Sequence, residues 1–256
     1  NRDGSKGTGG CTYCNNQTFS PEYCKPAKSV SQQLEEGIAF FNHKYEAQKY
    51  LAYFQSYTNT YDKLENLTKI YEEALKNPKV VGIVVGTRPD CVSDELLDYF
   101  AELNKRYYVM IEYGVESTCD ETLQLINRGH DYACAEDAIR KTAARGIRTA
   151  AHLILGLPGE SRETILSHAV NISRLPLTAI KLHQLQLVRG TVMARQFTDH
   201  PEKFNMMTAA EYIELVIDFI EIMNPQIALE RFISQSPPSM LIAPDWGLKN
   251  FEFVSK

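Results

Sequence analysis

The run VVGIVVG, residues 80–86, is apolar at every side chain it carries and stops at the turn TRPD, residues 87–90. A half-buried strand would alternate apolar with polar residues, so a continuous run of this kind predicts a strand covered on both faces. The same grammar recurs in YYVMIEYG (107–114), RTAAHLILG (148–156) and AIKLHQLQLV (179–188), and an aromatic, β-branched version, YLAYFQSYTNTY (50–61), comes before. Between and around these runs, apolar residues fall at helical intervals. Helices are predicted over Ser31–Asn42 and Ser93–Leu103, each capped by its own serine, and over Leu64–Leu75, Asp120–Ile126, Ala133–Ala144, Arg162–Leu175 and Ala209–Met223. Strand followed by helix, repeated, means parallel pairing with the helices outside. About five such strands can be read, too few to close an eight-stranded barrel, so the expected fold is α/β: an open, partial (β/α) barrel over residues 1–225, with residues 226–256 as a C-terminal extension.

Composition narrows the class. With 44% apolar and 23% charged residues, the chain of 256 is an ordinary globular protein rather than a disordered or collagen-like one. A net charge of −5, with no Lys/Arg run longer than two, gives no sign of a nucleic-acid-binding face. No stretch approaches the ~20 apolar residues of a membrane helix, and the polar start lacks the pattern of a secretion signal. The expectation is a soluble, cytoplasmic protein without a membrane partner. A chain of this size buries its own core, so its six cysteines point to metal or catalytic use rather than to a disulfide framework. Cys91, Cys119 and Cys134 read as buried or half-buried thiols.

In parallel architectures the chemistry gathers at the carboxyl ends of the strands. That rule selects Gln55–Asn59, Thr87–Asp90, Glu112–Ser117, Gly156–Glu160 and Lys181–Thr191. To these the opening NRDGSKGTGGCTYCNN (1–16) adds Cys11 and Cys14, presented from a glycine-rich loop that can wrap a metal without strain. The C-x-x-C spacing alone fits zinc, a redox dithiol or an iron–sulfur centre, with Cys24 available as a third ligand. Lys181 and His183 are two apart and share one strand face, the barrel interior. Glu112 and Glu116 need partners if buried, and either a ligand or Arg128 and Lys181 can supply them.

Taken together, the opening loop, GTRPDC (86–91), YGVES (113–117), INRGHD (126–131), HLILGLPGE (152–160) and LVRGT (187–191) resemble, in this order, the radical S-adenosylmethionine enzymes. The likeness is to the elongator-protein-3-like branch and its stand-alone YhcC-like members, and it covers essentially the whole chain. It implies a (β/α)6-type partial barrel, a [4Fe–4S] cluster and S-adenosylmethionine. Cys11 and Cys14 match two of the three cluster ligands; the third, in the family pattern C-P-N-R-D-G, is expected two residues before Asn1, together with the first strand. Three thiolates leave one iron open to the substrate. Gln55 and Asn59 stand where many relatives carry a glycine-glycine-glutamate turn for the methionyl amine. The resemblance puts Glu112 or Glu116 near the ribose hydroxyls or that amine, and His152, Gly156 and Gly159 near the adenine.

Lys181 matches a family lysine, whereas His183 replaces a tyrosine. That departure marks either a different second substrate or a core histidine with a satisfied hydrogen bond; Lys181 and His183 are the expected catalytic pair. Arg88, Asp90, Arg128, Gly129 and His130 also match and either bind an anion or brace loops. RFISQSPPSMLIAPDWG (231–247) matches the segment that closes the barrel mouth in relatives. The expected activity is reductive cleavage to a 5′-deoxyadenosyl radical that takes hydrogen from a second substrate, small molecule or RNA, with an electron donor of flavodoxin or ferredoxin type. The alternatives are an elongator-like transfer-RNA-modifying enzyme, and a non-catalytic barrel that binds RNA or protein and holds a structural zinc.

Overall fold

A computed structural model describes residues 3–18, 20–21, 23–25, 27–42 and 49–256; Asn1 and Arg2, which begin the N-R-D-G match, lie outside the described residues. Six parallel strands form its main sheet: β1 (Tyr50–Phe54), β2 (Val80–Thr87), β3 (Tyr108–Glu116), β4 (Arg148–Leu155), β5 (Ala179–Gln184) and β6 (Ala228–Arg231), paired in that order. The apolar run that starts at Val80 is indeed covered on both faces. Ile83 and Val85 join Val109, Ile111, Leu153 and Leu182 against the helices, while Val84 packs with Met110, Ala150 and Ala179 on the other side.

The sheet is curled into a half-barrel. Strands β1 and β5 are four places apart in the sheet, which at ~4.8 Å per strand would separate them by ~19 Å if it were flat. Instead Lys181 Nζ on β5 lies 4.7 Å from the ring centroid of Tyr53 on β1. The second face of the sheet is therefore a lumen, and its layers change character along the strands. Val84, Met110, Ala150 and Ala179 make an apolar base; Glu112, His152 and Lys181, further along the same faces, are polar.

The described helices are α1 (Val30–Asn42), α2 (Leu64–Leu75), α3 (Asp94–Asn104), α4 (Asp120–Leu125), α5 (Tyr132–Ala144), α6 (Arg162–Ile172), α7 (Val192–Asp199), α8 (Ala209–Ile222) and α9 (Asn250–Val254). Ser93 caps α3 as expected, accepting from the Leu96 amide. The cap of α1 is Ser29 rather than Ser31: the Gln32 amide donates to Ser29 Oγ at 3.2 Å, and the Ser31 amide donates instead to Glu73 Oε1 on α2. Helix α6 stops at Ile172, short of Leu175, and the strand expected over 179–188 breaks after Gln184. Its last residues, Leu187–Val188, turn away to pair antiparallel with Leu241–Ala243. The sixth strand, Ala228–Arg231, falls within the stretch expected to be an extension. Beyond it, Ser234 exchanges two backbone–amide hydrogen bonds of 3.0 Å with Gln184, and Trp246 packs against Tyr212 of α8. Among the described residues no helix is long and apolar enough to cross a membrane.

Candidate active site at the strand ends

Cys11 and Cys14 reach the carboxyl end of the barrel because the loop that carries them is pinned there. Gly9 and Gly10 have φ of 74° and 78°, a left-handed pair that only glycine adopts without strain. Asn127, just past α4, donates to the Thr8 and Gly10 carbonyls at 2.9 Å each, and the Thr12 amide donates to Ile126 O. Both thiols line a cavity of ≈ 430 Å³ together with Gln55, Glu112, Glu116, His152 and His183. Arg128, which follows in sequence from that anchor, is buried beneath the loop. Its Nη1 lies 3.4 Å from Cys11 Sγ, its Nη2 donates to Gly114 O, and its Nε is buried without a partner. Gly114 leaves room for this pair, since a Cβ would come within 2.6 Å of Glu116 Oε1 and 2.7 Å of Arg128 Nη2 and would displace those side-chain ends. Glu116 itself has a φ of 70°, a strained conformation for a residue with a side chain, and faces Arg128 at 3.6 Å.

An ionic layer makes the floor. Glu112 accepts from Lys181, from His152 at 2.9 Å and from the Tyr53 hydroxyl at 2.5 Å, so four strands meet at one carboxylate. Burial alone would raise its pKa, but His152 and Lys181 more than offset that and hold the carboxyl at about 2. Burial, and then the Glu112 charge, push the Tyr53 phenol up, so it stays a hydrogen-bond donor. Lys181 is shared with Glu230 at 3.3 Å. His183 is held well below the usual imidazole range by burial, then by Arg231 and His152, which makes it neutral.

Of the residues singled out in the sequence, Cys11, Cys14, Gln55, Glu112, Glu116, His152 and His183 share the cavity, and Lys181 joins them through Glu112. Asn59, Gly156 and Gly159 do not line it. Asn59 spends both amide hydrogens on the Phe54 and Gly86 carbonyls, at 2.9 Å each, tying the ends of β1 and β2 together. Asn59→Ala is therefore expected to destabilise the fold by about 2 kcal/mol, read as a lowered thermal midpoint. Gly156 (φ 91°) backs onto Met207, whose Cε would stand 2.7 Å from a Cβ. Gly159 (φ 86°) lines a separate, mostly apolar cavity with Leu125, Pro158, Met193 and Phe204. Arg88 braces its own loop, gripping Asp90 through two 2.8 Å bonds. Of the other lining residues, Tyr53 was not singled out and Arg231 was marked only as the first residue of the 231–247 segment. Tyr53 lies two residues before Gln55 on the same strand face, which is a readable signal; Arg231 sits in a strand of four residues with no pattern to mark it.

Comparison with known proteins gives the family and the fold. A family model described as the Radical SAM superfamily matches residues 5–170, and one described as the Radical_SAM C-terminal domain matches residues 177–256. The uncharacterized protein YtqA of Bacillus subtilis is 35% identical over 254 residues, covering 99% of this chain and 78% of its own length. Protein YhcC of Escherichia coli is 36% identical over 247 residues, covering 96% and 78%. Among solved structures, the archaeal Methanocaldococcus infernus Elp3 superposes with a TM-score of 0.68 at 20% identity. That match covers 83% of this chain and 54% of the other, so the chain spans about half of that structure and the likeness is one of fold.

Proposed function

The chain belongs to the radical SAM superfamily, and from that membership we propose that it cleaves S-adenosylmethionine reductively at a [4Fe–4S] cluster and turns the resulting radical on a second substrate. The observation that carries this reading is the convergence of Cys11 and Cys14 on the cavity of Glu112, Glu116, His152 and His183. The donor set suits the group. One of the two soft thiols, Cys11, stands beside a buried guanidinium that has one N–H to spare, so an anionic, thiolate-held cluster would meet fixed positive charge. The family pattern calls for a third thiolate beside them. When bound, the cluster and S-adenosylmethionine supply one-electron cleavage of the sulfonium carbon–sulfur bond, giving methionine and the 5′-deoxyadenosyl radical.

The protein's own groups bind, orient and exclude. Arg128 balances charge on Cys11 and fixes the Gly114 turn. Glu112, ionised at any physiological pH, and Glu116 offer acceptors for hydroxyl or ammonium groups; Gln55 offers a neutral amide. The apolar layer of Val84, Met110, Ala150 and Ala179 keeps water from rising beneath the ionic floor. An electron carrier of flavodoxin or ferredoxin type would serve the exposed side of the thiol loop.

A structural zinc on Cys11, Cys14 and Cys24 has less support: Cys24 lies near Lys28 and Glu36 and does not line the cavity. Among the described residues no three His, Cys, Asp or Glu side chains gather to hold a metal. The test is anaerobic loading of the full-length natural protein with iron and sulfide, then dithionite and S-adenosylmethionine. Release of 5′-deoxyadenosine and methionine in equal amounts, by mass spectrometry, is expected; a colourless protein with one zinc and no release overturns the reading.

A further inference from the structure

One wall of the cavity carries two polar side chains that the protein does not satisfy. Arg231, at the end of β6, and His183, on β5, both line it. Lys181 stands opposite Arg231 in the pairing of these strands, so His183, two residues further on the same face, is its diagonal neighbour. Among the described residues neither side chain makes a hydrogen bond or an ion pair, and Arg231 Nε is buried without a partner. The cavity's other guanidiniums are engaged, Arg88 with Asp90 and Arg128 with Cys11 and Gly114. So are the carboxylates within reach: Glu112 accepts three hydrogen bonds, and Glu230 pairs with Lys181.

A buried donor left unmade is costly unless a ligand completes it. The local charges name the ligand. Lys181 and Arg231 together are balanced by Glu112 and Glu230, so the wall tolerates one added negative charge better than two. His183 is neutral and brings an N–H without further positive charge. A guanidinium fork beside one neutral N–H suits a planar carboxylate rather than a dianionic phosphate.

We propose that Arg231 and His183 anchor the second substrate by its carboxylate, and that this substrate is a small carboxylic acid. The proposal rests on the radical reading above and adds the substrate class. The thiols enter from the loop pinned behind α4, and the anchor stands on the last two strands, so the two sit on different walls of one cavity.

The test uses the full-length, cluster-loaded protein, with and without S-adenosylmethionine, titrated with propionate, propionamide and inorganic phosphate and read by saturation-transfer NMR. Saturable propionate binding, at least about fivefold tighter than phosphate and absent for propionamide, is expected to persist when S-adenosylmethionine is present. Arg231→Gln should weaken it about tenfold, the loss of a charge-assisted contact. Arg231→Lys, which keeps the charge and loses the fork, should weaken it several-fold and guards against a folding defect in the first variant. The proposal is overturned if both variants bind propionate as the wild type does, if propionamide binds equally, if phosphate binds more tightly, or if S-adenosylmethionine displaces propionate. Release of 5′-deoxyadenosine by the same preparation tests the radical reading separately: cleavage without carboxylate selectivity removes only the anchor, and carboxylate-selective binding without cleavage removes only the radical chemistry.

Discussion

Serine at position 11 or 14 is expected to bring 5′-deoxyadenosine release to background and to strip most of the bound iron and sulfide. A serine hydroxyl stays protonated near neutral pH and is a poor ligand for iron that prefers thiolate, and a cluster held by one corner fewer is lost. The fold should not follow it. The loop is held by Asn127 on the Thr8 and Gly10 carbonyls and by the Thr12 amide on Ile126, contacts that pass through no thiol. Both cysteines are only half-buried, so the thermal midpoint without cluster should stay within about 2 °C of the wild type. Cys24→Ser should keep its iron and its activity. Iron content, sulfide content and product release, measured side by side on the three variants, check this; equal loss in Cys24→Ser would move the cluster elsewhere.

Glu112→Gln is expected to cost about 3 kcal/mol of stability at pH 7. The amide keeps the shape but leaves Lys181 and His152 facing a neutral group in a buried layer, and removing one partner of a buried ion pair has this magnitude. The pKa gives a similar figure, since a carboxyl held at about 2 against an ordinary value near 4.3 is worth about 3 kcal/mol. The depressed pKa also sets the pH window. The contribution is complete above the pKa of the unfolded carboxyl and is lost as pH falls from there towards about 2. Urea midpoints of wild type and variant should therefore differ most at pH 5 to 7 and converge as pH drops below 4. A gap that stays constant down to pH 3 would mean that the carboxylate charge contributes nothing to folding.

Much of the fold could be read because the informative elements are long and buried. Val80–Thr87 and Arg148–Leu155 announce covered strands, the serine before Asp94 announces a helix start, and the ordered strand-end motifs announce the radical SAM family that the family model bears out. What stayed hidden is short or two-sided. Ala228–Arg231 has four residues and no period, and Val192–Asp199 buries only Met193 and Ala194, too little apolar surface to show a stripe. Ser29 and Ser31 are equally good caps until the contact of Ser31 with Glu73 decides between them. The site follows the same logic. Thiols, carboxylates and the Lys181–His183 pair were legible from their chemistry and their alternation. An amide such as Asn59 serves a ligand or its own backbone equally well, and the glycines at 156 and 159 report a turn without telling which side of it faces the cavity.

The central claim is that the thiol loop and the strand-end cavity form one site in which S-adenosylmethionine meets iron. Mössbauer spectra of the ⁵⁷Fe-loaded, full-length protein, recorded before and after addition of S-adenosylmethionine, test it most directly. The prediction is that one iron of the cluster changes its signal on addition while the others do not. Spectra that are indifferent to S-adenosylmethionine, from a protein that holds its full iron, would contradict it.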